Sequence, residues 1–150
     1  MRLLLVTDGT VTQALEAYLN TQVQVQLLHQ GRSTEHQLFG VRANISTCDP
    51  MLRQVQLVRS DTQSVVVQAE SIIALDLLPL ELADGLLAGK LGIGDLIRAQ
   101  SLDTYRQLLD LGISQRADRV GVWRTYAICR EHQALMQVQE WFPWDVFEKV

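Results

Sequence analysis

The chain has 150 residues, 47% of them hydrophobic and 20% charged, with a formal net charge of −4. That is the size and composition of a globular domain with its own core, needing no disulfide or metal staple. The acidic balance argues against nucleic acid as the main partner, because such domains carry basic patches. Two unpatterned cysteines, Cys48 and Cys129, are too few for a zinc site or a disulfide framework and fit a reducing compartment.

At the N-terminus, Leu3 to Val6 form an apolar run cut off by Thr7 and Asp8. It is too short for a signal peptide, and no stretch approaches the roughly 20 apolar residues of a membrane span. A soluble, cytoplasmic protein with no membrane span is expected. No repeat, low-complexity tract or linker interrupts the chain, so residues 1–150 read as a single domain. "DGTVTQALEAYLN" reads as a helix, with Thr10 as N-cap, Val11, Leu15 and Leu19 at helical spacing, and Asn20 at its end. In "TQVQVQLLHQGR", Val23, Val25 and Leu27 alternate with glutamines, the mark of a half-buried strand, and Gly31 begins a turn. "QLFGVRANI" reads as a short extended piece, and Cys48-Asp49-Pro50 as a break.

"MLRQVQLVRS" and "SVVVQAESIIAL" are strands joined by a "DTQ" turn, short enough for a hairpin. "LPLELADGLLAGKLGIGDLIRAQ" reads as two short helices. Pro79 opens the first, Gly92 to Gly94 separates the two, and Asp95 to Ala99 continues helically. "DTYRQLLDLGIS", "VWRTYAICRE" and "ALMQVQEWFP" are three further strands, the last two linked by a tight turn at His132-Gln133. Helices set among hairpin-linked strands predict an α+β class with an antiparallel sheet rather than a parallel α/β sheet.

Side chains alternate between the faces of a strand. In "MQVQEWFP" that places Glu140 on the apolar side with Met136, Val138 and Phe142. In "LRQVQLV" it places Arg53 on the apolar side with Val55 and Leu57. A buried charge is costly unless paired. Two opposite charges at inward positions are explained by a shared cavity, the bland alternative being a structural ion pair. The guanidinium grips carboxylates by two hydrogen bonds, and the carboxylate can exchange a proton. Glu70 and Arg124 have ambiguous parity, since both faces of their strands are apolar. Either could add charge to the cavity or sit on a solvated face.

These motifs in this order resemble the chorismate lyase (chorismate pyruvate-lyase) family, most closely its short branch in photosynthetic lineages. "LRQVQLV", "QAESIIAL", "LGIGDLI" and "MQVQEWFP" carry the resemblance, which runs from about Asp8 to Pro143. It implies about six antiparallel strands with helices packed on them around a buried site. It also implies cofactor-free conversion of chorismate to 4-hydroxybenzoate and pyruvate, supplying a quinone precursor. The family's carboxylate-gripping arginine falls on Arg53 and its active-site glutamate on Glu140. Substrate contacts fall near Val11 and Thr12 at the start of the first helix, and near Ile93 and Gly94 at a helix start covering the site. Some members carry a second arginine in the strand "QAESIIAL", where this chain has Glu70. Arg124 or Arg98 would then have to supply the second cation. The resemblance also leaves room for a non-catalytic module that binds small aromatic acids, since the same fold serves as a sensing domain in transcription regulators.

"GKLGIGDL" lacks both phosphate-loop patterns. His29, His36 and His132 show no ligand spacing, so no metal is expected. Trp123, Trp141 and Trp144 read as core-edge packing. "WFPWDVFEKV" could serve self-association, with a monomer or small homo-oligomer both compatible.

Overall fold

The computed structural model describes residues 11–34, 37–89 and 92–148. Helix α1 (Val11–Leu19) leads into β1 (Val23–Arg32), a ribbon of β2 (Gln37–Leu38) and β3 (Val41–Arg42), then β4 (Pro50–Arg59) and β5 (Val65–Ala74). A 3₁₀ turn (Leu75–Leu77) precedes helices α2 (Leu80–Ala88) and α3 (Ile93–Ala99). Three long strands follow, β6 (Tyr105–Arg116), β7 (Arg119–Arg130) and β8 (Gln133–Pro143), and then a short α4 (Asp145–Glu148). Six strands form one antiparallel sheet in the order β1-β4-β5-β8-β7-β6. The α+β class and the six-stranded antiparallel sheet are those read from the sequence.

Three local readings need correction. β1 continues through Gly31 to Arg32, which pairs with Met51, because beyond a bulge at Leu28 β4 again supplies a partner to the end of the strand. "QLFGVRANI" is not one extended piece but a hairpin. It reverses at Phe39 and Gly40, both at positive φ, the geometry whose twist matches a two-residue β-turn. The β7–β8 turn lies one residue earlier than expected, at Glu131 and His132, again both at positive φ. The N-cap assigned to Thr10 lies outside the described residues.

The sheet buries both faces. On one, Val11, Leu15 and Leu19 of α1 pack on Val23, Leu57, Val67 and Phe142. Farther along, Leu82, Leu86 and Leu96 of α2 and α3 pack on Met51, Ile73, Tyr126 and Met136. Leu15, Leu82 and Leu86 are fully buried, each contributing roughly 1.5–3 kcal/mol of transfer free energy. On the opposite face, Leu38, Ala43 and Ile45 cover Ile72 and Ala74. The indole of Trp141 sits on Gly121, where a Cβ would come within 2.4 Å of the ring; only glycine admits that approach. The C-terminal segment folds back, with Phe147 against Tyr18 (5.4 Å between ring centroids) and Phe142 (6.4 Å). Trp144 stays exposed.

Candidate active site

The two helical groups leave a gap on the face they cover, and a cavity of about 70 Å³ lies there. That is several times the roughly 10–15 Å³ a cavity needs to hold one water. Its floor is the sheet. Arg53, Val55 and Leu57 come from β4, Ala69 and Ser71 from β5, Val138 and Glu140 from β8, Tyr126 from β7 and Arg106 from β6. One wall is Val11 and Thr12 at the start of α1, the other Gly92 to Asp95 at the start of α3. The strand registers explain this set. Arg53 faces Ser71, Ser71 faces Val138 and Val138 faces Tyr126, so one row of like-facing side chains crosses four strands. Ala69, Glu140 and Arg124 form the next row.

Arg53 is only 1% exposed. Its Nη1 donates to the Leu86 carbonyl at 3.1 Å and to Gln30 Oε1 at 3.4 Å. Leu86 lies in the last turn of α2, where its carbonyl also accepts from the Gly89 N–H at 3.0 Å and where a cation is favoured. Burial pulls the Arg53 pKa below its ordinary value, yet a guanidinium starts so high that it stays cationic.

Glu140 is 6% exposed. Its Oε2 accepts from Arg124 Nε at 2.7 Å and its Oε1 from the Tyr126 hydroxyl at 2.9 Å. Both carboxylate oxygens are therefore fixed in direction while the group still borders the cavity. The Tyr126 pKa is driven well above the ordinary tyrosine value, first by burial and then by the Glu140 charge. Tyr126 is thus a permanent donor. The guanidinium of Arg106 lies 5.2 Å from the centre of the Tyr126 ring, and that of Arg124 lies 4.9 Å from it.

Six of the residues singled out in the sequence, Arg53, Glu140, Val11, Thr12, Ile93 and Gly94, line this one cavity. Two do not. Glu70 projects from the opposite face, where its Oε2 accepts from the Phe39 N–H at 2.6 Å and its Oε1 from Gln54 Nε2 at 2.7 Å. The reason is parity: Glu70 pairs with Gln54 and Gln139, both on the far side. Arg124 is 2% exposed and is not a lining residue; it underlies the cavity as the ion-pair partner of Glu140. Glu140 therefore meets Arg53 across a shared space but is neutralised by Arg124, because β5 stands between β4 and β8. Arg98 lies on the surface, 3.7 Å from Asp95.

Arg106, Tyr126 and Ser71 also line the cavity and were not picked out in the sequence. For Ser71, the parity of Arg53 carried across the β4–β5 hairpin was an available signal. For Arg106 the signal was blurred by a β-bulge between Leu108 and Asp110, which breaks the alternation of its strand. Among the described residues no cluster of His, Cys, Asp or Glu could hold a metal ion, and no helix is long and apolar enough to cross a membrane. His36 lies outside the described residues.

The fold is similar to that of PhnF from Mycobacterium smegmatis, with a TM-score of 0.64 at 13% identity over 93% of this chain and 66% of that one. The PhnF effector domain alone gives a TM-score of 0.62 at 13% identity, covering 91% of this chain and 90% of that one. By sequence, the chain is 26% identical to a chorismate pyruvate-lyase of Mycobacterium leprae, over 99% of this chain and 76% of that protein. It is 24% identical to one of Mycobacterium tuberculosis, over 98% of this chain and 81% of that protein. A family model, chorismate pyruvate-lyase Rv2949c-like, matches residues 5–150. With cavity, sheet and near-complete sequence match in agreement, the chain belongs to the Rv2949c-like chorismate pyruvate-lyase family.

Proposed function

We propose that this protein is a chorismate pyruvate-lyase that releases 4-hydroxybenzoate and pyruvate without a cofactor. The observation that carries the reading is the convergence of a buried arginine and a buried, hydrogen-bonded glutamate on one small cavity. Arg53 anchors the ring carboxylate through a charge-assisted fork, which fixes orientation. Glu140, held by Arg124 and Tyr126, hydrogen-bonds the 4-hydroxyl, as the base for the hydrogen that leaves C4 or as the group that positions it for transfer to the enolpyruvyl group. The C3–O bond breaks, its electron pair leaves with the enolpyruvyl group, and the hydrogen from C4 completes pyruvate. The two products together contain all the atoms of chorismate, so no water or co-reactant enters. Aromatisation drives the step, which leaves the protein to orient the diacid and steer one proton. On the same proposal, the protein works in the cytoplasm of a photosynthetic lineage and its aromatic product feeds quinone synthesis.

An ultraviolet assay of purified protein with chorismate tests this. 4-Hydroxybenzoate and pyruvate should appear in equal amounts. Glu140→Gln should lower turnover about 10²–10⁴-fold with a smaller effect on affinity. Arg53→Ala should weaken 4-hydroxybenzoate binding strongly, and Arg53→Lys should rescue only part, because a point charge lacks the fork. An unchanged product affinity in Arg53→Ala would remove the anchor assignment. The rival reading, a non-catalytic module for small aromatic acids, predicts tight binding with no turnover.

A further inference from the structure

Chorismate carries two carboxylates and 4-hydroxybenzoate one. If Arg53 holds the ring carboxylate, the enolpyruvyl carboxylate needs its own cation. The strand in which some family members place a second arginine offers Glu70 instead, and Glu70 lies on the wrong face. Of the two arginines the sequence suggested as replacements, Arg98 is on the surface beside Asp95, and Arg124 donates its Nε to Glu140 beneath the cavity.

We infer that Arg106 is the residue that recognises the second carboxylate, and so makes the site selective for a diacid. This rests on the lyase reading of the same cavity. Arg106 lines the cavity from β6, the opposite side of the floor from Arg53 on β4. Three strands, β5, β8 and β7, separate them. At about 4.8 Å per strand step the two backbones stand roughly 19 Å apart, so two long side chains reaching inward leave space between their heads for a small diacid. Glu140 and Tyr126 occupy the floor between the two cations. Arg106 also sits one row along the sheet from Arg53. It pairs with Ile128, whereas the Arg53 row runs through Ser71, Val138 and Tyr126. The two cations are therefore set diagonally, as the ring carboxylate and the C3 ether substituent of one molecule would require. The face of Tyr126 lies against the Arg106 guanidinium, 5.2 Å from it, and orients the head. After the C3–O bond breaks, Arg106 holds pyruvate while Arg53 holds the aromatic product, so the products leave from separate grips.

The test compares a diacid with a monoacid on the full chain. Arg106→Gln should raise KM for chorismate roughly ten- to hundredfold, the loss of one charge-assisted contact, and leave the inhibition constant of 4-hydroxybenzoate within about twofold. Arg53→Gln should weaken both. Arg106→Lys should recover part of the chorismate affinity, which guards against a folding defect in Arg106→Gln. Thermal unfolding of each variant provides the same control. Equal weakening of chorismate and 4-hydroxybenzoate by Arg106→Gln, or of neither, would overturn the assignment. If the wild type formed no 4-hydroxybenzoate, the lyase reading would fail by itself. The preference for the diacid would then be read by direct titration with unreacted chorismate against 4-hydroxybenzoate, and loss of that preference in Arg106→Gln would still support the second grip.

Discussion

The two faces of the sheet bury charge in different ways. On the helix-covered face, Glu140 lies among apolar side chains and answers an arginine, Arg124, at 2.7 Å. On the other face, Glu70 is half-buried and hydrogen-bonds only neutral donors, the Phe39 N–H and the Gln54 amide, with the Arg116 guanidinium near enough to feel its charge. The spaces differ likewise. The first is the cavity of about 70 Å³ walled by helix starts, and the second a larger trough of about 840 Å³ under the β2–β3 ribbon. The trough is lined by Gln68, Gln137 and Gln139 together with Phe39 and Arg116, whose guanidinium lies 3.6 Å from the Phe39 ring centre. An inward charge is thus not by itself a site. Glu70 ties a loop to the sheet with hydrogen bonds, whereas Glu140 is held in fixed orientation by Arg124 and Tyr126 against a space that can admit a small molecule.

Breaking the pair on the cavity side should have the larger effect on stability. Arg124→Met leaves the buried Glu140 carboxylate without its cation and should cost about 3–5 kcal/mol, read as a lower urea midpoint. Arg124→Met combined with Glu140→Met should recover most of that loss, because neither buried charge then remains. A single-variant cost under about 1 kcal/mol would show that the carboxylate does not depend on Arg124.

Alkaline unfolding gives an intermediate test. The Tyr126 pKa in the folded state is raised by burial and by Glu140, while the unfolded value is about 10. Above that value the unfolded chain releases a proton that the folded chain keeps, so stability falls as pH rises, by up to about 1.4 kcal/mol per pH unit. Below pH 10 the contribution is fully present. Tyr126→Phe should flatten this limb in urea titrations between pH 9 and 11, and an unchanged slope would mean that the hydroxyl ionises freely in the folded protein.

The smallest effect belongs to the trough side. Glu70→Gln removes a charge but keeps an amide oxygen to accept from Phe39 or Gln54, and should cost about 1 kcal/mol. Turnover of chorismate should stay within about twofold of the wild type. A large loss of activity would mean that the two faces communicate and that their separation is wrong.

Much of the fold was legible because hydrophobic period and turn chemistry act locally. Val11, Leu15 and Leu19 recur at helical spacing, and the alternations around Arg53 and Glu140 put each charge on the same face as its apolar neighbours. Legibility failed where both faces of a strand are covered. Val65 to Ala74 is apolar on both sides, so parity could not place Glu70. It failed again at the bulge between Leu108 and Asp110, which hid Arg106. The Phe39-Gly40 reversal escaped notice because it depends on positive φ at a residue that rarely adopts it.

From the chain alone came the α+β class, the order of helices and strands, and the two inward charges at positions 53 and 140, all of them consequences of side-chain periodicity. Only the tertiary structure decided who neutralises Glu140, which arginine shares the cavity with Arg53, and that Glu70 belongs elsewhere. Those outcomes depend on strand order and register. β8 lies between β5 and β7, so Arg124 sits directly across from Glu140 while Arg53 is one strand further removed. No local pattern encodes that adjacency, because it is set by which apolar faces must be buried together.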